Sequence, residues 1–200
     1  MSSAGPLPEL TVVHVPVSDP RVEPLLRELG DEYSTRYGKD AHAELARYPD
    51  EEFTAPYGGV LLLLLERGQA VAGGAFRRYD ATTAELKRIW THSAHRRRGH
   101  ARQVVAELER EATRRGYRRI YLTTGPRQPE ARNLYLATGY TPLFATDADP
   151  ESIGPLPFEK HLPTPVDQLI KDGTSARTPR KRETTASAID ASTINPPEHR

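Results

Sequence analysis

Hydrophobic and polar positions follow a changing period along the first 163 residues and lose any period beyond them. The apolar stretch LTVVHV (10–15) reads as a strand. Val22, Leu25, Leu26, Leu29 and Tyr33 then recur at helical spacing, which predicts an amphipathic helix over Arg21 to Tyr37, followed by a shorter one from Asp40 to Arg47. An apolar run from Val60, a turn at Arg67-Gly68-Gln69 and a second apolar stretch from Ala70 carry the signature of a hairpin. In AELKRIWT (84–91), strand alternation sends Leu86, Arg88 and Trp90 to one face and Glu85, Lys87, Ile89 and Thr91 to the other.

From Gly99 the period becomes that of a helix. Val104, Val105, Leu108 and Ala112 form its apolar stripe. Glu107, Glu109, Arg110, Glu111, Arg114 and Arg115 are expected to face solvent, with Glu111 and Arg115 spaced to pair and Gly116 as the stop. RIYLT (119–123) reads as a strand and PEARNLYLAT (129–138) as a short helix with Gly139 past its end. YTPLF (140–144) reads as another strand, and LPFEKHL (156–162) as the one that closes the sheet. The pattern is α/β, one sheet with helices on its faces.

Composition bounds the rest. A length of 200 residues suits one domain, placed at 1–163; residues 164–200, rich in Pro, Thr, Ser, Ala and charge, read as a disordered tail. Lys plus Arg total 28 against 27 Asp plus Glu, a net charge of +1, so no general attraction to polyanions follows. With no cysteine, disulfides, thiolate metal sites and cysteine nucleophiles are excluded. The start MSSAGPLPEL has neither a basic nor an apolar segment, and the run Val60 to Leu65 is far shorter than the roughly 20 residues that span a bilayer. These features lead to the expectation of a cytoplasmic protein with no membrane partner.

The concentrated basic feature is HRRRGHA (95–101), between a strand and a helix. Backbone N–H groups from Arg97 to Arg102 precede intrahelical bonding and meet the positive end of the helix dipole, while Gly99 and Ala101 allow close approach to the main chain. Such a turn binds phosphate or pyrophosphate. The alternative is a nucleic-acid-binding module in which Arg96 to Arg98, Arg102 and RTPRKR (177–182) make phosphate contacts. That module calls for interleaved aromatics and a broad basic face, and the acidic residues of helix 99–115 count against it.

Arg96, Gly99 and Ala101 fit the Q/R-x-x-G-x-G/A signature of the GNAT superfamily of acyl-CoA-dependent N-acetyltransferases, which the chain from about Glu85 to Phe144 resembles. A second segment, YLTTGPRQPEARNLYLATGY, is similar to that family's next strand and helix through Ala131, Leu134, Tyr135, Gly139 and Tyr140. ELKR, TGxxQPEA and LPFEKHL further resemble one branch of small bacterial members. The resemblance implies a mixed, mostly antiparallel sheet of six to seven strands, splayed in the middle and flanked by about four helices. It also implies acetyl-CoA as co-substrate. The pantetheine would pair with backbone at Ile89, Trp90 and Thr91, and the pyrophosphate would meet Arg97, Arg98, Gly99, His100, Ala101 and Arg102, with Arg96 in the signature. Gln128 stands where many members carry an asparagine that contacts pantetheine.

The implied reaction moves an acetyl group to a primary amine of a small molecule or peptide, by direct attack in a ternary complex. An amine of pKa about 10.4 is mostly protonated at pH 7, a deficit of about 4.6 kcal/mol that a base or a water chain must offset. Resemblance assigns Tyr135 as the acid for the departing thiolate, and Glu85, eleven residues before Arg96, as the base. Its alternative is an ion pair with Lys87 or Arg88. Thr123 stands where many members place a glutamate, which removes that position as a source of base. His92, His95 and His100 read as loop histidines, with no metal expected. Dimers are common in the superfamily, so a homodimer is a further implied partner; the acceptor would be chosen by the first helices, by YPDEEFTAPYGG (48–59) and by the last strands.

Overall fold

The computed structural model describes residues 9–38 and 45–163. The tail 164–200 and most of the expected helix from Asp40 lie outside the described residues. Seven strands form one sheet in the order β1-β2-β3-β4-β5-β7-β6. They are β1 (Leu10–His14), β2 (Val60–Glu66), β3 (Gln69–Arg78), β4 (Thr83–Thr91), β5 (Arg119–Thr124), β6 (Thr141–Pro142) and β7 (Leu156–His161). Four α-helices lie wholly among the described residues: α1 (Glu23–Tyr37), α2 (His100–Arg114), α3 (Pro129–Ala137) and the single turn α4 (Pro150–Ile153). The last of these was not expected from the sequence, and YTPLF contributes only two strand residues.

The sheet is covered on both faces, which explains the unbroken apolar run of β2. Val60, Leu62 and Leu64 enter a core under α2 and α3 with Val104, Leu108, Ile120 and Phe158. Leu61, Leu63 and Leu65 enter a second core under α1 with Leu25, Leu29, Phe53 and Trp90. Arg67 (φ 52°) and Gly68 (φ 82°) make the tight turn of the β2–β3 hairpin. Glu111, expected in solvent, is buried instead, because Arg115 (2.6 Å) and Arg114 close over its carboxylate.

Strand β4 departs from simple alternation. Its register with β3 shifts between Gly73 and Ala75, and Arg88 opposite that shift has φ 57°. This bulge inserts one extra residue and reverses the facing of all that follows. Leu86 and Ile89 therefore pack on the α2 side, while Arg88 lies over Phe53 and Trp90 joins the α1 core. The expected grouping of Leu86 with Arg88 and Trp90 is corrected accordingly. Gly74 is required there: a Cβ would come within 2.8 Å of both Ile89 Cδ1 and Val104 Cγ1.

Candidate active site

Strands β4 and β5 run parallel and pair only at Thr83–Arg119, Ala84–Ile120 and Glu85–Tyr121. Beyond Glu85 the two strands diverge, and β4 from Leu86 to Thr91 faces an open gap rather than β5. A cleft of about 1390 Å³ fills this gap, with both strands, α1, the start of α2 and α3 around it. Glu85, Ile89, Trp90, Thr91, Arg96, Arg97, Gly99, His100, Ala101, Arg102, Gln128 and Tyr135 all line it. Arg98 does not; its guanidinium lies 3.5 Å from His95 Nδ1.

At the mouth of the cleft the chain curls through left-handed conformations at Arg97 (φ 62°) and Gly99 (φ 84°), the latter capping α2. The first bond into the helix is made by the Gln103 N–H to the Gly99 carbonyl (3.2 Å), so the N–H groups of residues 100–102 precede it. No acidic side chain stands in this first turn to offset the dipole. Nothing lies within 4 Å of the position a Gly99 Cβ would take, which leaves room for a ligand against the main chain. His100, read from the sequence as a loop residue, is buried, and its Nε2 has no hydrogen-bond partner among the described residues. Burial pulls its pKa down, which favours the neutral ring. An anionic group would fit this cradle.

Two carboxylates one helical turn apart on α1 fasten the lips of the cleft, and sequence reasoning missed both. Glu28 accepts from Trp90 Nε1 (3.0 Å), from the Ser93 N–H (3.0 Å) and from Ser93 Oγ (3.1 Å). Glu32 accepts from Arg96 (3.2 Å) on one lip and from Gln128 Nε2 (3.2 Å) on the other. Their i, i+4 spacing on the polar face of α1 was the available signal, but it did not reveal partners sixty and more residues away. The Gln128 amide is committed at both ends, since its Oε1 accepts from the Gly125 N–H (3.0 Å).

Glu28 supports a pH prediction. Burial works to raise its pKa, but the bonds from Trp90 and Ser93 outweigh it and hold the carboxyl below the ordinary 4.5. A depressed folded-state pKa contributes stability above the unfolded value, lost as pH falls through the folded one. Thermal unfolding of wild type against Glu28→Gln should show a constant gap above pH about 5.5 that narrows below about 4.5. A gap that widened on acidification would contradict this.

Glu85 occupies the fork, the last residue paired with β5. It is buried, and both oxygens are engaged: Oε2 with Arg77 Nη2 (2.7 Å) and Oε1 with Lys87 Nζ (2.9 Å). Arg77 also reaches Glu52 (3.0 Å) and lies over the Tyr48 ring. Tyr135, on α3, packs against Tyr140 and Phe158 with ring centroids 5.4 and 5.7 Å away. Burial raises its phenol well above the usual 10, so it holds its proton throughout the ordinary pH range.

Parallel strands that pair briefly and part, with a glycine-capped helix start at the opening, define a fold that can hold an extended ligand with an anionic end. The pattern of the Acetyltransferase (GNAT) family matches residues 22–140, and the chain belongs to that family. A curated relative from Bacillus subtilis, described as the uncharacterized N-acetyltransferase YsnE, is 36% identical over 92 residues; the match spans 43% of this chain and 61% of the relative. A solved structure from Klebsiella pneumoniae is 24% identical with a TM-score of 0.61, over 76% of this chain and 97% of that one. The PaiA N-acetyltransferase of Thermoplasma acidophilum, solved in complex with coenzyme A, has a TM-score of 0.59 at 15% identity, over 76% and 99% of the two chains. These likenesses agree with the mixed, mostly antiparallel fold. Among the described residues no helix is long and apolar enough to cross a membrane.

Proposed function

We propose that the protein is an acetyl-CoA-dependent N-acetyltransferase acting on a primary amine by direct transfer. The observation that carries this reading is the gap between β4 and β5, which places an unpaired strand edge, a helix N-terminus and a buried tyrosine around one cleft in a chain of this family. Ile89 to Thr91 offer backbone for the pantetheine, and Arg97, Gly99, His100, Ala101 and Arg102 offer the cradle for the pyrophosphate. The thioester supplies the activated acetyl group. Tyr135, protonated and in the cleft, is the donor to the departing thiolate.

For the base, the ion pairs of Glu85 favour water-mediated proton removal over direct abstraction, because Arg77 and Lys87 already occupy both of its oxygens. Glu85→Gln should then keep at least about a tenth of kcat. It should also lower stability by about 2–4 kcal/mol, since Arg77 and Lys87 lose their buried partner. A fall in kcat of a hundredfold or more in a folded variant would restore Glu85 as the base.

An amine-library screen that reads release of free CoA tests the activity, and intersecting double-reciprocal lines would identify the ternary complex. The nucleic-acid alternative loses ground because Arg96 is held by Glu32 and the net charge is only +1. Duplex DNA binding with a steep salt dependence, in the absence of acetyl-CoA binding, would favour it.

A further inference from the structure

Three cations line the cleft from β3 and β4, and the protein answers two of them. Arg77 and Lys87 share Glu85, Arg77 adds Glu52, and both stand over Tyr48 at 4.2 and 4.8 Å. Arg88 is treated differently. Its side chain is only 5% exposed, yet its Nη2 donates to the Leu45 carbonyl (3.0 Å) and meets Asp50 at no less than 3.5 Å. Asp50 itself is 63% exposed. The other terminal nitrogen, Nη1, is buried and has no hydrogen-bond partner among the described residues. A desolvated guanidinium donor left unpaired is costly, and such groups in a cleft call for a ligand.

Backbone geometry leads the same way. Arg88 holds φ 57°, a left-handed conformation that a non-glycine residue adopts at a cost. Without this bulge its side chain would follow Leu86 under α2; with it, the guanidinium turns to the α1 side, over Phe53 at 4.1 Å.

We propose that Arg88 anchors a carboxylate of the acceptor, which makes the substrate a small amino carboxylate, an amino acid in the first instance, rather than a plain amine. This rests on the acetyltransferase reading above. The carboxylate takes the place of the loosely held Asp50 on Nη2 and reaches the unpartnered Nη1 beside it, giving a charge-assisted bidentate contact. An α-amine then lies two bonds from the carboxylate carbon.

Calorimetry on the CoA-saturated full chain tests this without relying on turnover. The ligands are the common amino acids and, for each one that binds, its amide and its decarboxylated amine. The acid should bind at least about tenfold tighter than either partner, and Arg88→Gln should erase that preference while changing acetyl-CoA affinity less than threefold. Asp50→Asn, which weakens the resident competitor, should tighten the acid; it also serves if Arg88→Gln does not fold. Equal binding of acid, amide and amine, or no binding by any amino acid, would overturn the proposal. Failure of acetyl-CoA itself to bind would instead remove the acetyltransferase reading, which separates the two.

Discussion

Replacing Gly99 with glutamate is expected to weaken acetyl-CoA binding by at least about a hundredfold while leaving a folded protein. Gly99 caps α2 at φ 84°, and a Cβ there meets nothing within 4 Å, so the substitution causes no clash. Its folding cost is the left-handed backbone, about 1–2 kcal/mol, partly offset by a carboxylate at a helix N-terminus. The effect on binding is much larger. A negative charge about 4 Å from a phosphate in partly screened surroundings is repelled by about 4 kcal/mol, more than the 2.7 kcal/mol that a hundredfold loss represents. Gly99→Ala adds the strain without the charge and should lose far less. Titration of both variants, beside thermal unfolding, checks the pair; a Gly99→Glu protein that kept its affinity within tenfold would move the pyrophosphate away from this turn.

Tyr135→Phe is expected to lower kcat by about 10² to 10³ with the KM for acetyl-CoA changed less than threefold, the size of effect that removing a general acid produces. The variant keeps the ring and its contacts with Tyr140 and Phe158, so stability should change little. A pH profile separates acid catalysis from packing. Because burial raises the phenol pKa well above 10, Tyr135 stays protonated and should contribute no alkaline limb below pH 9. The variant should therefore be slowed by the same factor across pH 6 to 9. Full activity at every pH would show that the hydroxyl takes no part, and a loss confined to KM would make Tyr135 a binding residue.

Much of the fold was legible in the chain because local periodicity is dictated locally. The hairpin turn at Arg67-Gly68, the stripe of Val104, Leu108 and Ala112, and the stop at Gly116 each depend on neighbours within a few residues. The order strand, arginine turn, helix, strand, helix, strand located the cleft for the same reason, and eleven of the twelve residues expected at the cofactor line it. What misled was the assumption of strict alternation. A one-residue bulge leaves no mark in AELKRIWT, yet it moves Arg88 and Trp90 to the opposite face from Leu86.

By itself, then, the sequence determined the element order from β2 to α3, the glycine-capped helix start and the position of Tyr135 on a short helix, since each depends on spacing along the chain. Only the tertiary structure decided that β4 and β5 part after Glu85, that Arg77 and Lys87 occupy the Glu85 carboxylate, that Glu28 and Glu32 fasten the cleft, and that Arg88 is buried with a donor to spare. Those facts join residues up to 96 positions apart. Long-range pairing of this kind is selected by which side chains share one small desolvated volume, and periodicity carries no record of that.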